Sequence, residues 1–399
     1  MPWSETSAMD EKVRFIGDYQ RDLQSLSELC ERYGISRKTG YKWIDRYQRQ
    51  GPAGLQDLSR RPHGCLHQTA PEVVEALLEA RRRHPRWGAK KLLKIVSRRY
   101  PDWEWPARST ACDILKRHGL IPKGRRRPHP GHPGRPLTPM DSPNQIWTAD
   151  FKGHFLTRDG FYCYPLTVED GYSRFLLACQ ALPSTRHEGS RPVFLRLFRQ
   201  YGLPNIIRTD NGAPFATTAL GRLSLLSVWW IRLGIYPELI EPAHPEQNGR
   251  HERMHRTLKA ETARPPSGNL SSQQRRFNQF QHEYNQQRPH EALNQETPAS
   301  RYLPSSRKLP NTLPPTHYPP HFEVRLVSRN GGIRWNGHWV NVTQTLGGEH
   351  VGLEEVDNDL WDVYFGPIKL GRFDQRTLKI HDQVRPTKRH EKVLPMSPD

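Results

Sequence analysis

Short runs of apolar residues at helical spacing, separated by Gly and Pro, fill roughly the first 120 residues of the chain. Ser25 and Glu28 have the spacing of a capping box, and Gly34 permits a turn. Ser36 can then cap a second, basic helix that stops at Gly51. The pattern predicts a helix-turn-helix that enters the DNA major groove, with an ordinary helical hairpin bearing a solvated basic face as the alternative.

Three further stretches with helical spacing follow, at residues 71–83, 89–100 and 109–118. Arg and Lys crowd their polar positions. They predict a second small helical unit, whose cations either extend the DNA contact or are simply solvated.

The pattern changes twice in the rest of the chain. Strand-like runs at 146–151, 161–168, 174–181 and 205–209, with a helix at 190–201, predict an α/β domain. From residue 322 to residue 380 apolar and polar residues alternate around Asn-Gly and Gly-Gly turns, which predicts a small antiparallel β-barrel of the SH3-like type.

Segments rich in Pro, Gly and Arg separate these patterns and cannot supply a core. We therefore expect a multidomain chain, divided as follows: an all-α helix-turn-helix domain at 1–62, a second helical DNA-binding domain at 63–121, a basic Pro/Gly linker at 122–143, an α/β core at 144–305, a Pro-rich linker at 306–320, the small β-barrel at 321–385 and a basic tail at 386–399.

The charge of the chain favours a polyanionic partner. Its 60 Lys and Arg against 41 Asp and Glu give a net charge of +19 and a pI near 9.9. Cations in this excess bind phosphates and release counterions, so nucleic acid is the expected partner, with a ribosomal-type or merely basic protein as the alternative.

The five cysteines include no Cys-x-x-Cys pair, which argues against a disulfide framework and a zinc finger. The first ten residues have no apolar leader, and no run of about 18 apolar residues occurs. We expect a soluble protein in a reducing, intracellular setting.

Two aspartates stand where a sheet can bring them together. Asp150 lies near the end of one predicted strand, and Asp210 directly follows another. Each alone is more typical of a turn or a cap, but carboxylates at buried strand ends are costly unless a cation compensates them. Together they suggest a Mg²⁺ site.

Three segments carry a family resemblance: Trp147-Thr-Ala-Asp150, Thr209-Asp-Asn-Gly212, and the run from His244 to Lys259. They resemble the three motifs of the integrase-core, or DDE, superfamily and, within it, the insertion-sequence transposases. The later run from Glu283 to Pro298 is similar to theirs as well. The resemblance implies a ribonuclease-H-like fold, with a mixed five-stranded sheet and helices on both sides.

Two glutamates compete for the third position of the motif. The separation from Asp210 that is usual in the family selects Glu246, which follows Pro245 in a loop. Glu252 lies a turn into a predicted helix, matches the family's Pro-x-x-x-Gly-x-x-Glu pattern, and is held more rigidly there. We favour Glu252, so the predicted catalytic and metal-binding residues are Asp150, Asp210 and Glu252.

The family implies a DNA transposase, a Mg²⁺-dependent polynucleotidyl transferase that uses two ions, for which Mn²⁺ can substitute. It would bind terminal repeats, cleave at the transposon ends and join the 3′-hydroxyl to target DNA. The expected partners are double-stranded DNA and at least one further copy of the chain, in the bacterial cytoplasm at the nucleoid. A catalytically idle DNA-binding regulator and a plain nuclease are the alternatives. The predicted DNA contacts are Arg37, Lys38, Lys42, Arg125, Arg126, Arg127, Asn248, Arg256 and Lys259.

Other polar and aromatic residues of this region have simpler interpretations. His244, His251, His255 and His290 lack a zinc-type ligand set, which leaves phosphate contact or structural hydrogen bonding. Trp147, Trp229 and Trp230 are expected in the core rather than as base-stacking platforms.

Overall fold

The computed structural model describes residues 7–59, 68–121, 137–241, 247 and 249–382. The chain divides into two compact units, Met1–Ala70 and Pro71–Asp399. Over these described ranges no helix is both long and apolar enough to cross a bilayer.

The first unit is a three-helix helix-turn-helix whose helix starts are fixed by local capping. Ser25 accepts a hydrogen bond from the Glu28 backbone N–H while the Glu28 carboxylate accepts from the Ser25 N–H. Ser36 caps the basic helix in the same way through Thr39 N–H. Both caps confirm the sequence-based prediction. The helices are α1 (Ala8–Gln20), α2 (Leu26–Arg32) and α3 (Arg37–Gln50).

The second unit begins with three further helices, which end within two residues of the predicted bounds. Their apolar faces form one cluster around Leu77, Leu92 and Trp87. The helices are α4 (Pro71–Arg83), α5 (Ala89–Arg99) and α6 (Arg108–Arg117).

A mixed sheet forms the centre of the second unit. Strand β1 pairs antiparallel with β3 and parallel with β5, and β5 pairs parallel with β6. The sheet has six strands rather than the expected five, since the two-residue β2 adds to the edge beside β3. The strands are β1 (Ile146–Phe151), β2 (Phe155–Leu156), β3 (Tyr162–Asp170), β4 (Leu176–Leu182), β5 (Ile206–Thr209) and β6 (Tyr236–Leu239).

Helices cover both faces of this sheet, as the resemblance implied. On one face Trp147, Ala149 and Phe151 of β1 pack with α7 (His187–Tyr201) and α8 (Leu225–Arg232). Because side chains alternate along a strand, Thr148 and Asp150 point to the other face. That face is covered by α9 (Gly249–Leu258), which continues as a π-helical turn over Lys259–Ala263, and by α10 (Leu270–His282).

Predicted tryptophan burial is confirmed. Trp147 and Trp230 are fully buried and Trp229 nearly so, all in the core shared by the sheet, α7 and α8.

The C-terminal segment is antiparallel β-structure, as predicted, but the paired strands do not close into a barrel. The order β13-β12-β11-β10-β7 leaves two edges, and β8 and β9 form a separate hairpin. Closure depends on pairing between the first and last strands, which sequence alternation does not encode. The strands are β7 (Glu323–Leu326), β8 (Gly332–Trp335), β9 (His338–Asn341), β10 (His350–Asp357), β11 (Leu360–Phe365), β12 (Ile368–Asp374) and β13 (Lys379–Asp382).

Candidate active site

Asp150 and Asp210 lie at the same end of the central sheet, where the parallel strands β1 and β5 finish. Ala149 of β1 pairs in register with Thr209 of the parallel strand β5; Asp150 is the next residue of β1, and Asp210 directly follows the last residue of β5. Neighbouring parallel strands present paired side chains on the same face. The fold therefore brings these two predicted residues together.

Glu252 lies in the first turn of α9 and is exposed. The buried side chains of Met254 and Leu258 hold that helix in a cluster with Phe277 of α10. Apolar packing on one side of α9 thus leaves Glu252 in a fixed position at the surface.

The pKa of Asp150 depends on the charges of the other two carboxylates. Burial raises the pKa of Asp150 well above its ordinary value, and the negative charge of Asp210 raises it further, as does that of Glu252 to a smaller extent. Lys152 acts in the opposite direction. The side chain keeps 18% of its surface exposed, so a cation can reach it. Carboxylates whose charges raise the pKa of an accessible neighbour form a set suited to a hard cation.

The turn after β5 supports Asp210. The backbone N–H of Gly212 donates to Asp210 Oδ1 at 3.2 Å, and a Cβ at Gly212 would lie 3.2 Å from Asp210 Oδ2. The Asn211 amide donates to the Ile240 carbonyl at 2.8 Å, which ties the turn to the end of β6. These contacts agree with the expected tight turn beside the site.

Two histidines of α9 lie fully buried behind Asp150. His251 and His255 stand one helical turn apart with their ring centroids 4.4 Å apart, and His255 Nδ1 is 3.6 Å from Asp150 Oδ2. Burial lowers the pKa of His251 to about 3 and that of His255 well below its ordinary value. Both rings are therefore neutral and hydrogen-bonded within the protein. Of the two interpretations left open for them, this is structural hydrogen bonding rather than phosphate contact.

Ligand atoms of Asp150, His251 and His255 lie within 4.8 Å of one another, close enough to share a metal ion. The sequence-based site did not include either histidine or the threonines that they contact. The available signal was the spacing of four residues between the histidines on a helix, together with the polar Thr148 in a buried strand.

Some of the predicted DNA contacts are at the surface. Arg37, Lys38 and Lys42 are exposed on α3, and Arg256 is exposed on α9, while Lys259 is half-buried in the π-helical turn. The remaining predicted contacts, Arg125, Arg126, Arg127 and Asn248, lie outside the described residues, as do His244 and the competing Glu246.

Three cationic side chains of α5 form ion pairs with two glutamates of the same unit. Lys90 pairs with Glu291 at 2.9 Å, while Lys94 and Arg98 pair with Glu296 at 3.3 and 2.6 Å. This face is therefore neither simply solvated nor fully available to a phosphate backbone.

Known families match the chain over nearly every part described above. Residues 141–245 and 233–298 match families described as Integrase core domain. Residues 322–381 match the IS481 family transposase, C-terminal domain. Residues 11–63 match a helix-turn-helix domain, and residues 39–115 match a homeodomain-like domain. These matches are to integrase core domains and to the C-terminal domain of an insertion-sequence transposase family, so they support an insertion-sequence transposase or integrase.

The chain has relatives in bacteria and in retroviruses. It is 27% identical over 164 residues to the uncharacterized 31.7 kDa protein of insertion element IS407 from Burkholderia multivorans, which covers 40% of this chain and 55% of that protein. It is 28% identical over 158 residues to the Pol polyprotein of Feline endogenous virus ECE1, covering 38% of this chain and 13% of the polyprotein. The match thus spans about half of the bacterial relative and a small part of the viral one.

Among solved structures, the chain is similar to the catalytic core domain of HTLV-2 integrase in complex with magnesium. The identity is 17%, the match covers 40% of this chain and 95% of that one, and the TM-score is 0.29.

Proposed function

We propose that this protein is a transposase that binds the ends of its element, cleaves there and joins the resulting 3′-hydroxyl to target DNA. The observation that carries the proposal is the convergence of Asp150 and Asp210 at the ends of adjacent parallel strands, within electrostatic reach of Glu252 on α9. This is an all-oxygen ligand set next to an exposed basic residue, Arg256.

The three carboxylates fit a divalent cation. Their mutual repulsion and the burial of Asp150 are compensated when positive charge lies between them, and Mg²⁺ prefers carboxylate oxygens. Asp150, Asp210 and Glu252 would hold two Mg²⁺ ions, with Mn²⁺ as a substitute. Bound there, the ions supply Lewis-acid activation of the attacking oxygen and stabilisation of the leaving oxygen.

The protein's own contribution is to position DNA. Arg256 and Lys259, four and seven residues after Glu252, are placed to hold the phosphate backbone along α9. Asn248, which directly precedes α9 in the sequence, would add a contact to the same DNA strand. Two successive displacements would then follow at one centre. Water attacks the phosphate at the element end and breaks its bond to the 3′-oxygen, which leaves as a 3′-hydroxyl. That hydroxyl then attacks a target phosphate, loses its proton and displaces the 3′-oxygen of the target strand, which takes up a proton.

Recognition of the ends is assigned to the helix-turn-helix. Its second helix, α3, presents Arg37, Lys38 and Lys42 to solvent and is the element that would enter the major groove. Arg125, Arg126 and Arg127 in the basic linker would contact backbone phosphates between the domains. Joining two ends in one event requires two catalytic domains, so we expect at least a dimer in the synaptic complex.

The test uses the full-length protein, oligonucleotides from the inverted repeats that flank its gene, and Mg²⁺. We expect Asp150→Asn, Asp210→Asn and Glu252→Gln to abolish cleavage and joining while retaining binding to the ends. Glu246→Gln is the matched control and should remain active. Joining by Asp150→Asn would overturn the mechanism, and loss of activity only in Glu246→Gln would overturn the choice of Glu252.

The same assay separates two other functions. Wild-type protein that binds the ends yet gives no product with any divalent cation would indicate a DNA-binding regulator. Cleavage that is never followed by joining would indicate a nuclease.

A further inference from the structure

Four polar side chains form a square on the face of the sheet that α9 covers. Asp150 of β1 lies opposite Thr167 of β3, and Thr148 lies opposite Glu169. Alternation along each strand puts all four on the same face. Four polar side chains that are largely buried on one face of a sheet are expensive unless each is hydrogen-bonded.

Helix α9 places His251 and His255 on this square. His251 Nδ1 lies 2.8 Å from Thr148 Oγ1, and His251 Nε2 lies 2.7 Å from Thr167 Oγ1. His255 Nε2 lies 2.6 Å from the same Thr167 oxygen, and His255 Nδ1 faces Asp150. One threonine hydroxyl thus joins the two imidazoles.

The number of available protons restricts which group donates each of these hydrogen bonds. Two protonated imidazoles at this separation in a fully buried place would repel strongly, so each ring carries one N–H. The Thr167 hydroxyl has a single proton and three neighbouring acceptors, the two imidazoles and the Asp150 backbone carbonyl at 3.1 Å, so it can donate to only one of them. If that partner is not His255, then His255 Nε2 must itself donate, and its Nδ1 lone pair faces the Asp150 carboxylate.

When Asp150 is ionised, as a metal ligand must be, one arrangement keeps a lone pair of His255 from facing its carboxylate, and in that arrangement the 3.1 Å contact of Thr167 Oγ1 with the Asp150 carbonyl carries no proton. Thr148 donates to His251 Nδ1, His251 Nε2–H donates to Thr167, and Thr167 donates to His255 Nε2. His255 then carries its proton on Nδ1, which points at Asp150 Oδ2. All four donors run in the same direction, and a chain of this kind strengthens each of its bonds by polarisation.

We propose that His255, oriented by Thr167, is a positioning residue that donates to Asp150 Oδ2 and leaves the other carboxylate oxygen free for a divalent cation. This inference rests on the proposed function, because it takes Asp150 as a ligand. Groups that orient metal ligands typically contribute a factor of about 10 to 100 to metal affinity. The contact at 3.6 Å is longer than a full hydrogen bond, and we expect it to shorten when the cation draws the carboxylate into place.

The experiment measures binding of Mn²⁺ alone to the full-length, DNA-free protein by calorimetry. We expect Thr167→Val to weaken binding by about 10- to 100-fold. Thr167→Ser keeps the hydroxyl and should bind within a few-fold of wild type. A second pair, His255→Leu and His255→Asn, repeats the comparison at the imidazole, since the Asn amide can still donate from the Nδ1 position. Thermal unfolding of each variant establishes that it is folded.

A spectroscopic measurement on the wild type decides between positioning and ligation. Electron spin echo modulation of bound Mn²⁺ should show no directly coordinated nitrogen. A coordinated nitrogen would make His255 a ligand and overturn the positioning role, as would equal Mn²⁺ affinity in Thr167→Val and Thr167→Ser.

Failure of the inference is distinguishable from failure of the proposed function. Asp150→Asn should abolish tight Mn²⁺ binding. If it does and Thr167→Val binds normally, only the positioning role is lost. If Asp150→Asn binds Mn²⁺ as the wild type does, the metal site itself is elsewhere and both proposals are wrong.

Discussion

The buried carboxyl of Glu169 makes stability depend on pH with a definite sign. Its side chain is almost fully enclosed, accepts a hydrogen bond from the Tyr284 hydroxyl at 3.3 Å and lies 3.8 Å from His251 Nδ1. Burial raises the pKa of Glu169 from 4.5 to about 8, against smaller lowering effects of Arg174 and of the Tyr284 hydrogen bond. At neutral pH the folded protein therefore holds this proton.

The direction of this pH dependence follows from comparing the pKa of Glu169 in the folded protein with its ordinary value, which the unfolded protein has. Below about pH 4.5 both the folded and the unfolded states hold the proton, so the stabilisation is fully present. As pH rises towards 8 the unfolded state releases the proton and the folded state keeps it, so the free energy of unfolding falls. One pKa unit corresponds to about 1.4 kcal/mol, which bounds the total loss at roughly 5 kcal/mol.

Urea unfolding followed by tryptophan fluorescence, from about pH 5 to about pH 8, tests this for wild type and Glu169→Gln. The glutamine still accepts from Tyr284 but cannot titrate. The stability advantage of the wild type over the variant should shrink steadily as pH rises. Glu188→Gln, at an exposed carboxylate of α7, controls for removal of one charge. A difference that stays constant or grows with pH would refute the reasoning.

Two further pairs of variants test packing. Gly40→Ala should destabilise the first unit by about 1 to 3 kcal/mol, because the new methyl would lie 2.6 Å from Cys30 Sγ. Gly17→Ala meets nothing within 4 Å and should stabilise the same unit by about 0.5 to 1 kcal/mol. Thermal unfolding that ranks the two variants in the reverse order would contradict the packing of α2 against α3. Trp230→Ala should cost about 3 to 5 kcal/mol, against under about 0.5 kcal/mol for the exposed Leu225→Ala, and similar urea midpoints for these two would show that α8 does not anchor the core.

The elements that sequence predicted well are those set by local rules. Ser25, Glu28 and Ser36 fix helix starts through contacts within three residues, so the pattern of residue types is enough. Helix α1 was not predicted, although Ser7 and Asp10 form a capping box at its start and Met9, Val13 and Ile16 have helical spacing.

The carboxylates and the histidines differ in how much the sequence could show. Asp150 and Asp210 stand at recognisable strand ends, so their juxtaposition follows once the two strands are parallel neighbours. The hydrogen bonds that join Thr167 with His251 and with His255 connect residues more than 80 positions apart, and only the placement of α9 on the sheet brings them together. The same long-range character explains why the alternation of the C-terminal strands predicted antiparallel pairing correctly but said nothing about closure.

The central claim is that Asp150, Asp210 and Glu252 hold the divalent cations that act on DNA. Crystals of the full-length protein bound to an element end and soaked in Mn²⁺ test it most directly, through anomalous scattering from the ions. The account predicts peaks between Asp150 and the other two carboxylates, with no nitrogen ligand. A peak held by Asp150, His251 and His255, with Asp210 and Glu252 outside the coordination sphere, would contradict it.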